Sequence, residues 1–308
     1  MNFVTTQADL PREGVPRDNA PAAGPLRAIL LLEGADALRS PADVAEWFDY
    51  GLRIVGLSWR RTRMAGRTDE PGPLTDEGRA IVAALDEAGI IHDLSHLAEE
   101  AFWQLLDLSG GPMMASHSNC RAIVPTDRQI SDEMIRAIAR RGGVIGINFY
   151  DRFLMPPEQF RKRRCTFNDL IAHIKHMCDL IGDAKQVGIG TDLDGGVGRE
   201  DVPEEITTAA DLPKLADALS RSGFNDADVG PSGRINLAVL VHDDDGLVGG
   251  LSGYTAWGWL YVQWLWLDDT HRGHGLAGKM LAAAEAEARV RGCHGSYIDT
   301  FSPVALRV

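Results

Sequence analysis

The chain is 308 residues long, 44% hydrophobic and 24% charged, with a net charge of −13. That length suffices for one large barrel or two domains with a real core, and the acidic balance argues against nucleic acid or an anionic membrane surface as the main partner. The four cysteines (Cys120, Cys165, Cys178, Cys293) lack paired close spacing and read as reduced thiols; no apolar run reaches the ~18 residues of a membrane span and no signal segment opens the chain, so a cytoplasmic protein is expected.

Residues 1–25 are rich in Pro, Ala and Gly and read as irregular. From about Leu26, apolar runs of strand length recur at Ala28–Leu32, Ile54–Ser58, Ile90–Leu94, Pro112–Ser116, Gly143–Phe149 and Val187–Gly190. Helical patterns separate them at Pro41–Tyr50, Thr75–Ala88, Ala98–Leu108, Ser131–Arg141 and Phe167–Ile181. Near-continuous apolar strands suit a parallel sheet covered on both faces, and the alternation predicts an α/β fold. Six such strands are visible where a closed (β/α)8 barrel needs eight. The expectation is an incomplete TIM-like barrel over 26–228.

The character changes at the Gly-Pro-Ser-Gly turn of 230–233. Runs at Ile235–Val241, Leu247–Tyr254 and Trp259–Leu267 read as an antiparallel meander. A glycine-bearing loop (271–278), an Ala-rich helix (Lys279–Arg291) and a last strand (Ser296–Phe301) follow. Residues 229–308 are therefore expected to form a second, partial α+β unit. Trp257, Trp259, Trp264 and Trp266 read as core and sheet-face residues.

Two histidines close two of the apolar runs: His96 in Gly-Ile-Ile-His-Asp-Leu-Ser-His and His117 in Gly-Pro-Met-Met-Ala-Ser-His-Ser-Asn. Glu33 closes a third. The C-terminal strand ends form the active face of a β/α barrel, and zinc takes imidazole nitrogen and carboxylate oxygen while leaving a position for water. These three residues are the candidate metal ligands; the bland alternative is polar strand ends satisfied by hydrogen bonds. His173 and His176, three apart on a helix, read as helix-surface residues because no third ligand accompanies them.

Glu-Gly-Ala-Asp (33–36), Asp-Leu-Ser-His (93–96), Ala-Ser-His-Ser-Asn (115–119), Pro-Thr-Asp-Arg-Gln around Arg128 and Gly-Ile-Gly-Thr-Asp-Leu-Asp-Gly (188–195) together resemble the membrane dipeptidase (renal dipeptidase-like, M19) metallopeptidases. The resemblance implies a (β/α)8 barrel with two zinc ions that cleaves dipeptides. It implies Glu33 as the bridging carboxylate, His96 and His117 on the second metal, and Arg128 on the substrate carboxylate, for which bidentate pairing is a sound reason. Asp192 matches the aspartate near the first metal, an acid/base or amine-binding group, and Asp194 is read as structural. Two departures stand out. The family's first-strand His-x-Asp pair is missing, since no histidine precedes His92, and about two strands go with it; Thr5–Arg12 resembles a short piece of that early region. The substrate-side histidine after the fourth strand is Trp59 here. Zinc is then expected, two ions by the family pattern and one at most if the missing pair is decisive, with impaired or absent peptidase activity.

The loop Asp-Asp-Thr-His-Arg-Gly-His-Gly-Leu-Ala-Gly (268–278), between a Trp-rich strand and an Ala-rich helix, resembles the acetyl-CoA loop of GNAT-type N-acetyltransferases. Arg272, Gly273, Gly275 and Ala277 fill its pattern, where backbone amides and a helix N-terminus cradle pyrophosphate. This family places a strand and two helices before the meander, and none are expected here. Three functions compete: an impaired zinc hydrolase of dipeptides, an acetyl-CoA-dependent N-acetyltransferase, and an inactive chimera whose open sheet edges favour pairing into a homo-oligomer.

Overall fold

A computed structural model describes residues 2–3, 27–59, 62–193, 196–208, 211–229, 235–243, 246–256, 259–293 and 295–298. Asp194, the 230–233 turn, Trp257, residues 299–308 and the irregular 1–25 segment apart from Asn2 and Phe3 lie outside the described residues. The chain divides into two compact units, residues 29–206 and residues 1–28 with 207–308.

The first unit is built on six parallel strands in chain order. They are β1 (Leu30–Glu33), β2 (Leu52–Gly56), β3 (Ile91–Asp93), β4 (Met113–Met114), β5 (Ile145–Ile147) and β6 (Val187–Ile189). β1 to β4 pair successively, and β5 pairs β6. Ala115 ties the two groups together: its N–H donates to Val144 O at 2.9 Å and its carbonyl accepts from Gly146 N at 2.8 Å. Among the described residues a strand falls at each of the six apolar runs, most of them shorter than the run that announces it.

The helices are α1 (Asp43–Asp49), α2 (Asp76–Ala88), α3 (Glu99–Leu108), α4 (Asp132–Arg140) and α5 (Phe167–Ile181). Thr75 caps α2 by accepting from Gly78 N at 3.0 Å, and Ser131 caps α4 by accepting from Met134 N at 3.3 Å. Ile81 and Leu85 of α2, Phe102 and Leu105 of α3, and Ile135 and Ile138 of α4 are fully buried, as are Val55, Ile145 and Ile147 of the sheet. The outer strands differ: Leu31 of β1 is 38% exposed and Ile189 of β6 is 47% exposed. An antiparallel hairpin, Ala65–Arg67 with Glu70–Leu74, was not expected from the sequence; its Pro71 and Pro73 break the usual strand composition.

In the second unit, Asn2–Phe3 pairs in parallel with Arg27–Ala28. Its main sheet has β7 (Ile235–Asp243), β8 (Gly246–Ala256) and β9 (Trp259–Leu267) as an antiparallel meander, with β10 (Gly295–Ile298) parallel to β9. The helix α8 (Leu276–Val290) follows β9 and buries Met280, Ala284 and Ala288 against Leu237, Leu251, Leu260 and Leu267. Ser252 pairs with Trp264 while Gly253 pairs with Val262, so Gln263 forms a bulge. That extra residue reverses the alternation: Val262 and Leu267 both join the core, and Trp264 and Trp266 stand exposed on the sheet.

Two further helices, α6 (Pro213–Arg221) and α7 (Asp226–Val229), precede the meander within this unit. This corrects the expectation that no helices stand there. Leu212, Leu215, Ala216 and Leu219 recur at helical spacing and are buried. The division between compact units falls at Ile206/Thr207, ahead of the 228/229 boundary expected from composition.

Candidate metal centre

Glu33, His96 and His117 meet at the C-terminal ends of β1, β3 and β4. Glu33 Oε1 lies 3.1 Å from His96 Nε2 and 3.1 Å from His117 Nε2, and the two nitrogens are 2.9 Å apart. Zinc with ligands at about 2.0–2.2 Å in tetrahedral geometry places its donor atoms roughly 3.3–3.5 Å apart, so a small outward shift of these three atoms fits one ion. Among the described residues this is the one cluster of at least three His, Cys, Asp or Glu groups with such convergence. Burial raises the Glu33 pKa, but the His117 and His96 imidazoles 3.1 Å away and their positive charge when protonated outweigh it, holding the carboxyl well below its usual range. Burial pushes His96 down to about 4, so its ring is neutral at pH 7. An ionised carboxylate beside a neutral imidazole is the protonation state that binds metal.

The backbone is shaped around this cluster. His96 has φ of 65°, a left-handed conformation uncommon outside glycine, and its carbonyl accepts from Thr68 N at 3.0 Å. Behind His117, a Cβ on Gly146 or Gly190 would overlap the Ser116 carbonyl, so only glycine lets β5 and β6 approach the β4 end this closely. Asp93, which closes β3, accepts from Ser95 N at 3.1 Å, Ser116 N at 2.9 Å and Ser116 Oγ at 2.5 Å. Ser116 Oγ is 2.6 Å from His117 Nδ1.

Arg128 lies beside the cluster and is buried. Its Nη2 donates to His117 O at 2.8 Å and lies 3.4 Å from His96 Nε2, its Nη1 donates to Ser118 Oγ at 3.3 Å, and its guanidinium sits 5.1 Å from the Phe153 ring centroid. Nε is buried with no hydrogen-bond partner among the described residues. Burial pushes the Arg128 pKa down to about 10, which leaves it cationic at neutral pH. Asp192, also with positive φ (60°), accepts from Asn148 Nδ2 at 3.1 Å. Burial raises its carboxyl above the usual aspartate range. Trp59 follows β2, 44% exposed, and its Cβ is the nearest neighbour of the space beside Gly34, next to Glu33.

Several supporting residues were missed at the sequence level. Buried Asn119 accepts from Asn148 N at 3.0 Å and donates to Asn148 O at 3.0 Å and Phe153 O at 3.2 Å, so two amides hold the Asp192 side of the site. Asp93, Ser116 and Asn119 all lie inside the motifs quoted above; the serine directly before each histidine was the available signal. His173 is a correction. It is fully buried, accepting from Cys120 N at 3.0 Å through Nδ1, with Nε2 donating to Leu154 O at 3.2 Å. Both ring nitrogens find backbone partners, so a polar residue that reads as surface is accommodated in the interior. His176 pairs with Asp132 at 2.8 Å.

Residues 14–238 match the membrane dipeptidase family, peptidase family M19, and residues 207–306 match the GNAT acetyltransferase family. The chain belongs to the M19 dipeptidase family. Over 65% of this chain and 58% of the other, it is similar, at 32% identity and a TM-score of 0.59, to a metallo peptidase from Rhodobacter sphaeroides solved with a phosphinate mimic of the dipeptide L-Ala-D-Ala. An uncharacterised dipeptidase of Schizosaccharomyces pombe is 28% identical over 71% of this chain and 54% of its own. The M19 chain described here thus spans little more than half the length of these dipeptidase relatives. An acetyltransferase of Agrobacterium fabrum is 53% identical over 104 residues, which are 31% of this chain and 76% of the relative. The M19 chain therefore carries a GNAT acetyltransferase segment as well.

In the GNAT segment, Gly273 and Gly275 have φ of 80° and 72°, and Gly275 caps the N-terminus of α8, in whose first turn Ala277 lies. Arg272 donates to Leu267 O at 3.2 Å through Nε and pairs with Asp269 at 2.8 Å. Among the described residues, no helix is long and apolar enough to cross a membrane.

Proposed function

We propose that residues 29–206 form a dipeptidase-like zinc centre with a single ion, held by Glu33, His96 and His117. The convergence of those three donors within 3.1 Å of one another carries this reading. A bound zinc would supply Lewis acidity and an acidified water. The chain's own residues do the rest. Arg128, a buried cation with an unpartnered Nε, pairs with the carboxylate of a dipeptide. Asp192, its carboxyl raised by burial above its ordinary value and accepting from Asn148, is placed as the acid/base or amine-binding group. Trp59 shields the substrate side.

The family resemblance implies a second ion, but no histidine precedes His92 in this sequence to supply a first-strand His-x-Asp pair. The six strands, a group of four and a pair, are accordingly read as part of a TIM-like barrel whose peptidase activity is impaired. Zinc-stripped and zinc-reconstituted protein, assayed on dipeptides, tests this. Slow hydrolysis that needs zinc and whose KM rises in Arg128→Gln is expected. Rapid turnover would refute the impairment, and hydrolysis indifferent to zinc would refute the centre.

A second reading rests on the Gly273–Gly275 turn at the α8 N-terminus, which presents backbone amides to a pyrophosphate. Residues 207–306 would then bind acetyl-CoA and transfer its acetyl group to an amine. Calorimetric titration with acetyl-CoA should show binding that Gly275→Glu removes; no heat with the parent chain would exclude this reading.

A further inference from the structure

His117 can serve as a metal ligand through Nε2 only if its ring proton sits on Nδ1, and the groups behind it decide that. Ser116 Oγ has one proton and two lone pairs. It lies 2.5 Å from Asp93 Oδ2, 2.6 Å from His117 Nδ1 and 3.3 Å from Ser95 Oγ. Asp93 Oδ1 already takes two backbone N–H donors, from Ser95 and Ser116, so the hydroxyl proton goes to Oδ2. The reverse arrangement, with Ser116 donating to His117, would set two lone-pair oxygens against each other at 2.5 Å. Ser116 Oγ therefore accepts from His117 Nδ1–H, and in a ring carrying one proton the lone pair is on Nε2, where His96 Nε2–H, 2.9 Å away, can donate to it when no metal is bound.

Ser95 completes the wiring. Its Oγ accepts from His117 N at 3.1 Å and from Ser118 Oγ at 3.4 Å, which leaves its own proton for Ser116 Oγ. Each hydroxyl thus has one direction open to it. Metal-bound histidines commonly donate their second N–H to a carboxylate, which fixes tautomer and ring orientation. Here the carboxylate acts at one remove.

We propose that Asp93, acting through Ser116, is the positioning residue that holds the His117 proton on Nδ1 and keeps Nε2 bare for the ion. The role in metal binding rests on the zinc reading above; the tautomer does not. Asp93→Asn makes a directional test. The two backbone N–H groups retain the amide oxygen at the Oδ1 position, so Nδ2 faces Ser116 and donates to it. Ser116 must then donate to His117 Nδ1, and the ring proton moves to Nε2. A carboxylate-to-amide change behind a histidine produces the wrong tautomer in the same way in serine proteases.

The experiment is 15N NMR of the imidazole nitrogens in metal-free protein, with His117 assigned by its loss in His117→Gln. The expected result is Nδ1–H in the parent chain and Nε2–H in Asp93→Asn. Zinc affinity, measured by competition with a chromogenic chelator, should fall about 10–100-fold in Asp93→Asn and Ser116→Ala, and Ser116→Thr, which keeps the hydroxyl, should restore it. Nε2–H in the parent chain, or an unchanged tautomer in Asp93→Asn, overturns the proposal. A parent chain that shows Nδ1–H yet binds no zinc supports the relay and instead contradicts the zinc reading.

Discussion

His96 and His117 stand at the ends of the adjacent inner strands β3 and β4, with side chains 16% and 10% exposed, whereas Glu33 closes the outer strand β1 and is 36% exposed. Asp93, the serines and Arg128 all press on the inner pair. Behind Glu33 the strand shows Leu30 and Leu31 to solvent. Asp192 follows the other outer strand, β6, whose Ile189 is also exposed. The inner half of the site is thus preorganised by buried polar contacts, while the outer half hangs on sheet edges. A side chain held by packing and hydrogen bonds loses little entropy on binding a ligand, and one on an open edge loses more.

The sharpest way to break this contrast is to remove a ligand from each half. His117→Ala should abolish measurable zinc binding by chelator competition, and Glu33→Gln, which keeps a neutral oxygen donor at the outer position, should weaken it by a smaller factor. Equal losses would show that the two halves are equally organised. Packing gives the next largest effect. Ile147→Ala in β5 should cost about 2–5 kcal/mol in urea unfolding, and Ile189→Ala on β6 less than about 1 kcal/mol; similar costs would mean that β6 is as well covered as β5.

A pH-dependent effect concerns the buried histidine of α5. Burial pushes His173 down to about 4 from an ordinary 6.5. Below pH 6.5 the unfolded chain takes up a proton that the folded chain refuses, so stability is full above 6.5 and is lost as pH falls toward 4. That is on the order of 3 kcal/mol across the window. The stability gap between the parent chain and His173→Asn should therefore narrow as pH drops from 7 to 4.5. A constant gap would mean that His173 titrates normally.

The strands were readable because a parallel strand buried on both faces writes an unbroken apolar run, and the histidines because they end such runs. Helix α6 is also visible as a stripe of Leu212, Leu215, Ala216 and Leu219, but a stripe does not say to which compact unit it belongs, so its place in the second unit was not. The hairpin at 65–74 was hidden by Gly66, Pro71, Gly72 and Pro73. His173 was misread because its partners are backbone groups of Cys120 and Leu154, 53 and 19 residues away, which no local pattern records. Ser116 carries no role in the sequence reading because its contacts with Asp93, 23 residues away, are what give its hydroxyl a direction.

The central claim, that Glu33, His96 and His117 hold one metal ion, is tested most directly by titrating zinc into metal-free protein and counting bound ions by mass spectrometry under native conditions. One zinc per chain, lost in His117→Ala, is the predicted result; no tightly bound zinc, or two per chain of similar affinity, would contradict it.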